Sequence, residues 1–360
     1  MPSMATEQAK NGTAAMRTIR DWRAAAMALS MAAALAISGC ASQPAPEPEP
    51  EPAQKPAEPT PPPAAAEVAD TPQFPTAPSL RLNTQRHSAP IWRLAVDRAE
   101  RYAVTASHDK TARVWEIETG RLLRSLRVPL AAGNVGKLYA VAISPDGETV
   151  AVSGWTGEKR WGGHSIFLFD RASGRLRQRI AGLPNVVFHL AWSADGRYLA
   201  AVGAEGHLQL YDGGDFRPLA SNQDCKGQSY WVAFAADNRL LSSCYDGRLR
   251  LYDSRLRLLQ ERTAPGGSRP FGVAFSPDGR RIAVGYADST RVDLLDGDDL
   301  RPLAVADTTG VDNGNLSSVA WSADGRALLA AGRYDDGGLN PIRRWGEAGR
   351  GGWREFAVAQ

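Results

Sequence analysis

The stretch that decides the fold reads Leu190-Ala-Trp-Ser-Ala-Asp-Gly-Arg-Tyr-Leu-Ala-Ala-Val-Gly-Ala-Glu-Gly-His-Leu-Gln-Leu-Tyr-Asp212. Apolar residues alternate along three short segments, which predicts three strands with one face of each strand packed into a core. Asp-Gly between the first two segments supplies the positive φ angles that a tight hairpin turn needs. Copies of this unit recur along the chain, anchored on the equivalent apolar positions Leu94, Val141, Leu190, Val232, Val273 and Val319.

The spacing of these anchors, 41 to 49 residues, predicts the architecture. A period of roughly 40–50 residues with about four strands per unit is typical of a β-propeller. One four-stranded blade cannot bury both of its faces alone, so neighbouring blades must stack in a ring. We therefore expect an all-β propeller over residues 80–360, with six visible repeats that form either a six-bladed or an incomplete seven-bladed ring.

Composition narrows the possible functions. The chain has 360 residues, a net charge of +3 and 43% hydrophobic residues, which suits one large core. A charge this small, with no stripe of basic and aromatic residues, argues against nucleic acid binding. Three cysteines are too few for a disulfide scaffold or a zinc ribbon. We predict no cofactor and no metal ion.

The amino-terminal 39 residues predict a signal peptide. Arg17, Arg20 and Arg23 precede a short apolar run that ends in Ile37-Ser-Gly-Cys40. That ending resembles a bacterial lipobox, which implies that Cys40 is acylated and anchors the protein in a membrane. An ordinary signal peptide or an uncleaved amphipathic helix is the alternative. Ala41 follows the cysteine, which favours an outer-membrane lipoprotein facing the periplasm or exposed at the surface.

Residues 40–79 predict a disordered linker. They contain 13 of the 24 prolines of the chain, in runs such as Pro-Glu-Pro-Glu-Pro. Proline at this density prevents regular sheet or helix, so an extended spacer is expected, although proline-rich segments also serve as ligands for aromatic-lined domains.

The repeats resemble the WD40 family. The best match is His87 before the first strand, followed by Ser107-His-Asp109-Lys-Thr-Ala-Arg-Val-Trp115. In that family the matching residues form a hydrogen-bonded tetrad that links three strands, which here implies a structural role for His87, Ser107, Asp109 and Trp115. The other repeats depart from this pattern.

The fourth repeat places cysteines in two of the tetrad positions. Cys225 precedes its anchor by the same seven residues as His87, and Cys244 precedes Tyr-Asp as Ser107 precedes His-Asp. In an exported protein two facing cysteines oxidise. We therefore predict a Cys225–Cys244 disulfide in place of the contact between His87 and Ser107, with two separately buried thiols as the alternative.

Two loop insertions and several aromatic residues predict a binding face at one end of the central channel of the propeller. Trp, Tyr and Arg are common in binding hot spots, although these loops could equally pack on themselves. The candidate face residues are Trp155, Arg160, Trp161, His164, Trp231, Tyr245, Tyr286, Tyr334, Asp335 and Asp336.

The sequence thus favours a monomeric, lipid-anchored and non-enzymatic scaffold that binds a protein or peptide. No nucleophile motif, paired acid and base, phosphate-binding loop or metal spacing is present. The alternative is a propeller enzyme, such as a dehydrogenase, lactonase or lyase, that uses the channel mouth. Fold alone does not distinguish the two.

Overall fold

The computed structural model describes residues 86–157 and 162–356. These residues form 24 β-strands and no α-helix. Among them, no helix has the length and apolar character needed to cross a bilayer. The predicted signal peptide, Cys40 and the predicted linker lie outside the described residues, as do Arg160 and Trp161.

The first three blades are four-stranded antiparallel sheets. Their strands are β1 Ile91–Val96, β2 Tyr102–Ser107, β3 Thr111–Glu116 and β4 Leu122–Arg127; β5 Leu138–Ile143, β6 Thr149–Gly154, β7 His164–Asp170 and β8 Leu176–Leu183; β9 Val187–Trp192, β10 Tyr198–Gly203, β11 Leu208–Asp212 and β12 Pro218–Asn222.

The last three blades repeat the same order of strands. Their strands are β13 Ser229–Phe234, β14 Leu240–Cys244, β15 Arg248–Tyr252 and β16 Leu258–Thr263; β17 Pro270–Phe275, β18 Arg281–Tyr286, β19 Val292–Asp296 and β20 Pro302–Val305; β21 Ser318–Trp321, β22 Leu328–Ala331, β23 Ile342–Trp345 and β24 Trp353–Phe356.

The six sheets form a six-bladed β-propeller, which confirms the predicted fold class. Within each blade the strands pair in chain order, each antiparallel to the next. The first strand of each blade lines the central channel and the fourth lies at the periphery, as in other propellers built from such repeats.

The predicted Asp-Gly turns join the first and second strands of a blade. In blade 3, Gly196 has a φ of +75°, which favours glycine because a side chain is strained there. Asp195 accepts hydrogen bonds from the Ser193 hydroxyl at 2.7 Å and from the Arg197 amide at 3.0 Å. Blade 5 repeats this with Ser276 and Asp278, so the Ser-x-Asp-Gly pattern specifies one turn through its own hydrogen bonds.

The core consists of apolar clusters between successive blades. Each cluster joins the rear face of one blade to the front face of the next, from blades 1 and 2 to blades 5 and 6. The anchor residue of each repeat lies on the front face of its blade. Leu190, for example, is 2% exposed and packs against blade 2.

The junction between the last and the first blade differs from the other five. Leu94, the anchor of blade 1, is 61% exposed, and its strand neighbours Ile91 and Val96 are 54% and 41% exposed. On the opposite flank, Ala320 and Arg344 of blade 6 are exposed, whereas the corresponding Leu294 of blade 5 is buried. Within the described residues, blade 6 therefore leaves the front face of blade 1 uncovered.

Candidate functional site

The candidate site lies at the end of the channel where the innermost strands begin. Because successive strands are antiparallel, the start of the first strand and the turn between the second and third strands lie at this same end. We call this end the upper face. The Asp-Gly turns lie at the other end, the lower face.

A β-bulge at the start of the innermost strand places an aromatic ring on the upper face in each of blades 1 to 5. The strand pairing skips one or two residues at each of these points. A bulge turns the skipped side chain out of the regular alternation of the sheet. The aromatic residues skipped in blades 1 to 5 are Trp92, Tyr139, Phe188, Tyr230 and Phe271.

These five rings touch one another in blade order. The ring centroids are 5.3 Å apart between Trp92 and Tyr139, 6.0 Å between Tyr139 and Phe188, and 4.6 Å between Phe188 and Tyr230. Tyr230 and Phe271 follow at 5.3 Å. Such spacings are those of favourable aromatic pairs.

Two further rings extend the arc from the turns between second and third strands. His108 lies 5.0 Å from Trp92, and Tyr245 lies 4.3 Å from Tyr230. All seven rings remain partly exposed. We call this set, the five bulge residues with His108 and Tyr245, the aromatic platform.

Arg93 lies beside the platform, directly after Trp92. Its side chain donates hydrogen bonds to the backbone carbonyls of Trp92 at 2.9 Å and Tyr230 at 3.1 Å, so it spans the channel from blade 1 to blade 4. The guanidinium carbon lies 4.5 Å from the ring centroid of Trp231 and 5.2 Å from that of Phe271. Burial lowers the pKa of Arg93 to about 10, so the side chain is still charged at neutral pH.

His189 continues this channel layer. Its ring stacks on Trp231 with a centroid distance of 4.4 Å, and its Nδ1 accepts a hydrogen bond from the Val232 amide at 3.4 Å. Burial, and then the charge of Arg93, lower the pKa of His189 well below its usual range. The imidazole is therefore neutral near pH 7.

The upper face carries cationic groups around the platform. Burial, and then the charge of Lys137, lower the pKa of His108. The guanidinium carbon of Arg269 lies 5.9 Å from the ring centroid of Tyr245. Burial is the main reason that the pKa of Tyr245 rises to about 12, so this phenol stays protonated.

The residues predicted to form the binding face occupy different environments. Tyr245 belongs to the platform and Trp231 lines the channel below it. Trp155 is partly exposed, with its ring 5.9 Å from that of His164. Asp335 and Asp336 are exposed in the turn after β22.

Three of those residues are buried. His164, at the start of β7, is buried, and burial lowers its pKa. The Tyr286 hydroxyl donates to Asp293 at 2.5 Å inside the core, and the Tyr334 hydroxyl donates to the Gly310 carbonyl at 3.1 Å. These side chains support the fold from within and are not accessible to a partner.

The tetrad of blade 1 forms, but one of its four residues differs from the prediction. His87 Nδ1 lies 2.8 Å from Asp109 Oδ2, but His87 Nε2 contacts Thr105 Oγ1 at 2.7 Å, and Trp115 Nε1 donates to the same oxygen at 2.9 Å. Thr105 thus supplies the hydroxyl that we predicted from Ser107. Ser107 lies two residues further along β2, where its hydroxyl donates to the Ala89 carbonyl at 2.9 Å.

The predicted disulfide between Cys225 and Cys244 is confirmed, with Cα atoms 5.7 Å apart. Cys244 occupies the register position of Ser107, since each is the strand residue paired with the start of the innermost strand. The two sulfur atoms lie near Asp246, a grouping with metal-ligand spacing. Because both sulfurs are held in the disulfide, they offer no thiolate to a metal ion.

A cavity occupies the lower half of the channel. It has a volume of about 650 Å³, and apolar side chains such as Leu94, Ile143, Phe234 and Phe275 form much of its wall. Arg98 and His189 are the titratable residues of that wall within the described ranges. Among its described lining residues, this wall presents one imidazole and no carboxylate.

Comparison with known proteins agrees with this architecture. The family model described as WD domain, G-beta repeat, matches residues 79–116, 177–212 and 222–253. These three segments thus match the WD40 repeat.

The chain spans less than half the length of the curated relatives that it matches. Coronin-7 of Rattus norvegicus is 28% identical over 233 residues, which is 61% of this chain and 23% of that protein. Telomerase protein component 1 of the same species is 26% identical over 208 residues, or 56% of the chain and 7% of that protein. Eukaryotic translation initiation factor 3 subunit I of Meyerozyma guilliermondii is 30% identical over 144 residues, or 37% and 39% respectively.

The aromatic platform was not predicted from the sequence. Its signal is simple: in five of the six WD40-like repeats, an aromatic residue stands two positions before the anchor, and the sixth has Ser317 there. Strict alternation would place a side chain two positions from the anchor on the same buried face as the anchor. The bulge, which the sequence pattern did not predict, changes this direction.

Proposed function

We propose that this chain is a non-enzymatic scaffold of the bacterial envelope, anchored by lipid at Cys40, that binds a protein or peptide partner on the aromatic platform. The observation that carries the proposal is the continuous arc of partly exposed rings on the upper face. Tyr and Trp supply large, rigid contact area, and such residues dominate the binding energy of protein interfaces.

The surroundings of the platform favour binding over catalysis. The polar groups around the platform include cations and protonated phenols, and the Asp288 carboxylate on the same face accepts backbone amide hydrogens. The Tyr230 hydroxyl already donates to the Gln228 side chain. A catalytic base is normally oriented by a hydrogen-bonded partner, whereas the His108 ring packs on Trp92 and Tyr139 and its Nε2 has no hydrogen-bond partner in the described residues.

The binding proposal is tested by comparing partners of matched variants. The full chain is expressed with its signal, crosslinked in intact cells and purified from membranes. We expect Tyr139→Ala combined with Tyr230→Ala to lose the partners that the unaltered chain retains. Trp353→Ala, a ring exposed at the periphery of blade 6, is the control. An identical set of partners for all three proteins would contradict the platform as the binding site.

The anchoring proposal has its own test. A Cys40→Ser variant cannot be acylated at that position, so it should be released into the soluble fraction, while the unaltered chain stays with the outer membrane. Metabolic labelling with a radioactive fatty acid should mark the unaltered chain and not the variant. Labelling of both proteins, or retention of both in the membrane, would contradict lipidation at Cys40.

A further inference from the structure

Arg93 carries a buried charge without a counter-ion. The residue is 7% exposed, and no carboxylate of residues 86–157 and 162–356 lies within ion-pair distance of its guanidinium. Two backbone carbonyls accept its Nη hydrogens, while its Nε has no hydrogen-bond partner in the same ranges. A buried charge is costly unless it is paired, so this guanidinium can bind an anion strongly.

The groups near Arg93 do not replace the missing anion. Trp231 and Phe271 face it with their rings, and His189 beside it is neutral. Lys137 and Arg269 add positive charge at the edge of the platform. The carboxylate of Asp288, which lies on the same face, already accepts the amide hydrogens of Ser268 and Arg269.

The arc of rings is open at one point. Blade 6 contributes Ser317 where the other blades contribute an aromatic residue. The gap falls between Phe271 of blade 5 and Trp92 of blade 1, and Arg93 follows Trp92 directly. The gap is therefore the point of the arc at which an approaching carboxylate side chain meets no platform ring.

We propose that Arg93 binds an aspartate or glutamate side chain from a proline-containing segment of a partner protein, which lies across the aromatic platform. The inference rests on the proposed function and names the partner's chemistry. The carboxylate supplies the missing counter-ion and forms charge-assisted hydrogen bonds with the guanidinium. The flanking prolines pack on the rings, since proline-rich segments are extended before binding and fit aromatic-lined surfaces.

The test uses a synthetic peptide of known sequence, Ac-Pro-Glu-Pro-Glu-Pro-Glu-Pro-NH2, titrated calorimetrically into the full chain. Residues 46–52 of the chain have this same sequence, so the receptor carries Glu47→Gln, Glu49→Gln and Glu51→Gln to remove an internal competitor. We expect saturable binding. The matched peptide with Gln in place of Glu should bind at least about tenfold more weakly, because loss of one partner of a desolvated charge pair is expensive.

Two variants of the receptor test the role of Arg93 in binding the peptide and the approach of the peptide over Ser317. Arg93→Met should weaken binding of the Glu peptide about tenfold or more, while Arg124→Met, an exposed arginine of β4, should leave it unchanged. Ser317→Phe keeps Arg93 and closes the arc, so it should also weaken binding. This variant keeps the proposal testable if Arg93→Met does not fold, which near-ultraviolet circular dichroism reports.

Three results would overturn the proposal. The first is equal affinity for the Glu and Gln peptides, and the second is unchanged affinity in both Arg93→Met and Ser317→Phe. The third is binding to the triple Gln receptor but not to the unaltered chain, which would assign the site to residues 46–52 and not to a partner. The peptide could show no binding while the set of crosslinked partners still depends on Tyr139 and Tyr230. That result would support the scaffold function and contradict the proposal that Arg93 binds a carboxylate.

Discussion

At the scale of the residue, the orientation of a polar side chain in this propeller depends on which hydrogen-bond partner lies within its reach. Thr105 shows this clearly, since its hydroxyl contacts His87 at 2.7 Å and Trp115 at 2.9 Å. Ser107 is also buried, but its hydroxyl donates to a backbone carbonyl. A shared oxygen that forms hydrogen bonds with two partly buried rings at once is worth more than an isolated hydrogen bond.

Thr105→Val should therefore be strongly destabilising. The substitution keeps the shape of the side chain but removes the hydroxyl that forms hydrogen bonds with the ring nitrogens of His87 and Trp115. Each group left unsatisfied costs about 1–3 kcal/mol. Urea denaturation followed by tryptophan fluorescence measures the loss. Thr105→Ser keeps the hydroxyl and is the control. Equal stability of the Val and Ser variants would show that the shared oxygen does not hold the tetrad together.

His189 predicts a dependence of stability on pH. Burial and Arg93 lower its pKa in the folded state, whereas the unfolded chain takes up this proton near pH 6.5. Below that pH the unfolded state therefore binds more protons, so the free energy of unfolding falls as the pH is lowered through about 6.5. One such group contributes a slope of at most about 1.4 kcal/mol per pH unit.

The matched variant is His189→Phe, which keeps a ring stacked on Trp231. We expect its unfolding free energy to depend less on pH between about 6.5 and 5 than that of the unaltered chain. The pKa values of His108 and His164 are also lowered, but both residues remain in the variant, so the difference between the two curves isolates His189. Parallel curves would contradict this assignment.

At the scale of the element, one local irregularity repeated around the ring builds the site. The innermost strands of blades 1 to 5 share a β-bulge at the same end, and each bulge turns one aromatic side chain toward the channel mouth. Blade 6 pairs without a bulge and has Ser317 at that position. The opening in the platform thus follows from a difference in one strand.

The disulfide acts on the same scale, since it ties the segment before β13 to the end of β14. Cys225→Ala combined with Cys244→Ala should lower the free energy of unfolding by about 3 kcal/mol, because the crosslink restricts the unfolded chain. Urea denaturation of oxidised protein measures the difference. In the presence of a reductant the unaltered chain and the double variant should become nearly equal. Equal stability of the oxidised proteins would contradict a stabilising role for the crosslink.

At the scale of the whole molecule, the ring is held by five apolar junctions and differs at the sixth. Successive blades bury apolar clusters between them, while the front face of blade 1 is exposed at Ile91, Leu94 and Val96. Arg93 partly compensates, because it joins blade 1 to the carbonyl of Tyr230 across the channel. Arg98 adds a hydrogen bond to the Ala194 carbonyl of blade 3 at 3.3 Å, so in the described residues blade 1 is held by its rear face and by these arginines.

A pair of equivalent leucines tests this description. Leu94 and Leu190 occupy the same position in their repeats but are 61% and 2% exposed. Leu190→Ala should cost about 2–5 kcal/mol, as for other buried leucines, because it removes apolar contacts and leaves a cavity. Leu94→Ala should change stability by less than about 1 kcal/mol. Similar losses for the two variants in urea denaturation would show that the face of blade 1 is covered in solution.

The repeat was enough to predict the fold and the disulfide. The Asp-Gly turns and the alternation of apolar residues act within one blade, so the chain reveals them locally. Comparison of one repeat with another aligned Cys225 and Cys244 with tetrad positions. That pairing is correct, although the contact between His87 and Ser107 from which it was predicted is replaced by one with Thr105.

The aromatic platform, the unpaired charge of Arg93 and the exposed front face of blade 1 required the folded chain. Each depends on groups far apart in sequence: Arg93 meets Tyr230 across the channel, and the five rings come from five separate blades. A repeat pattern specifies which face of a strand is apolar, but not whether another blade covers that face. Burial and the pairing of charges are properties of the assembled ring, and for that reason they appear only after the blades have packed.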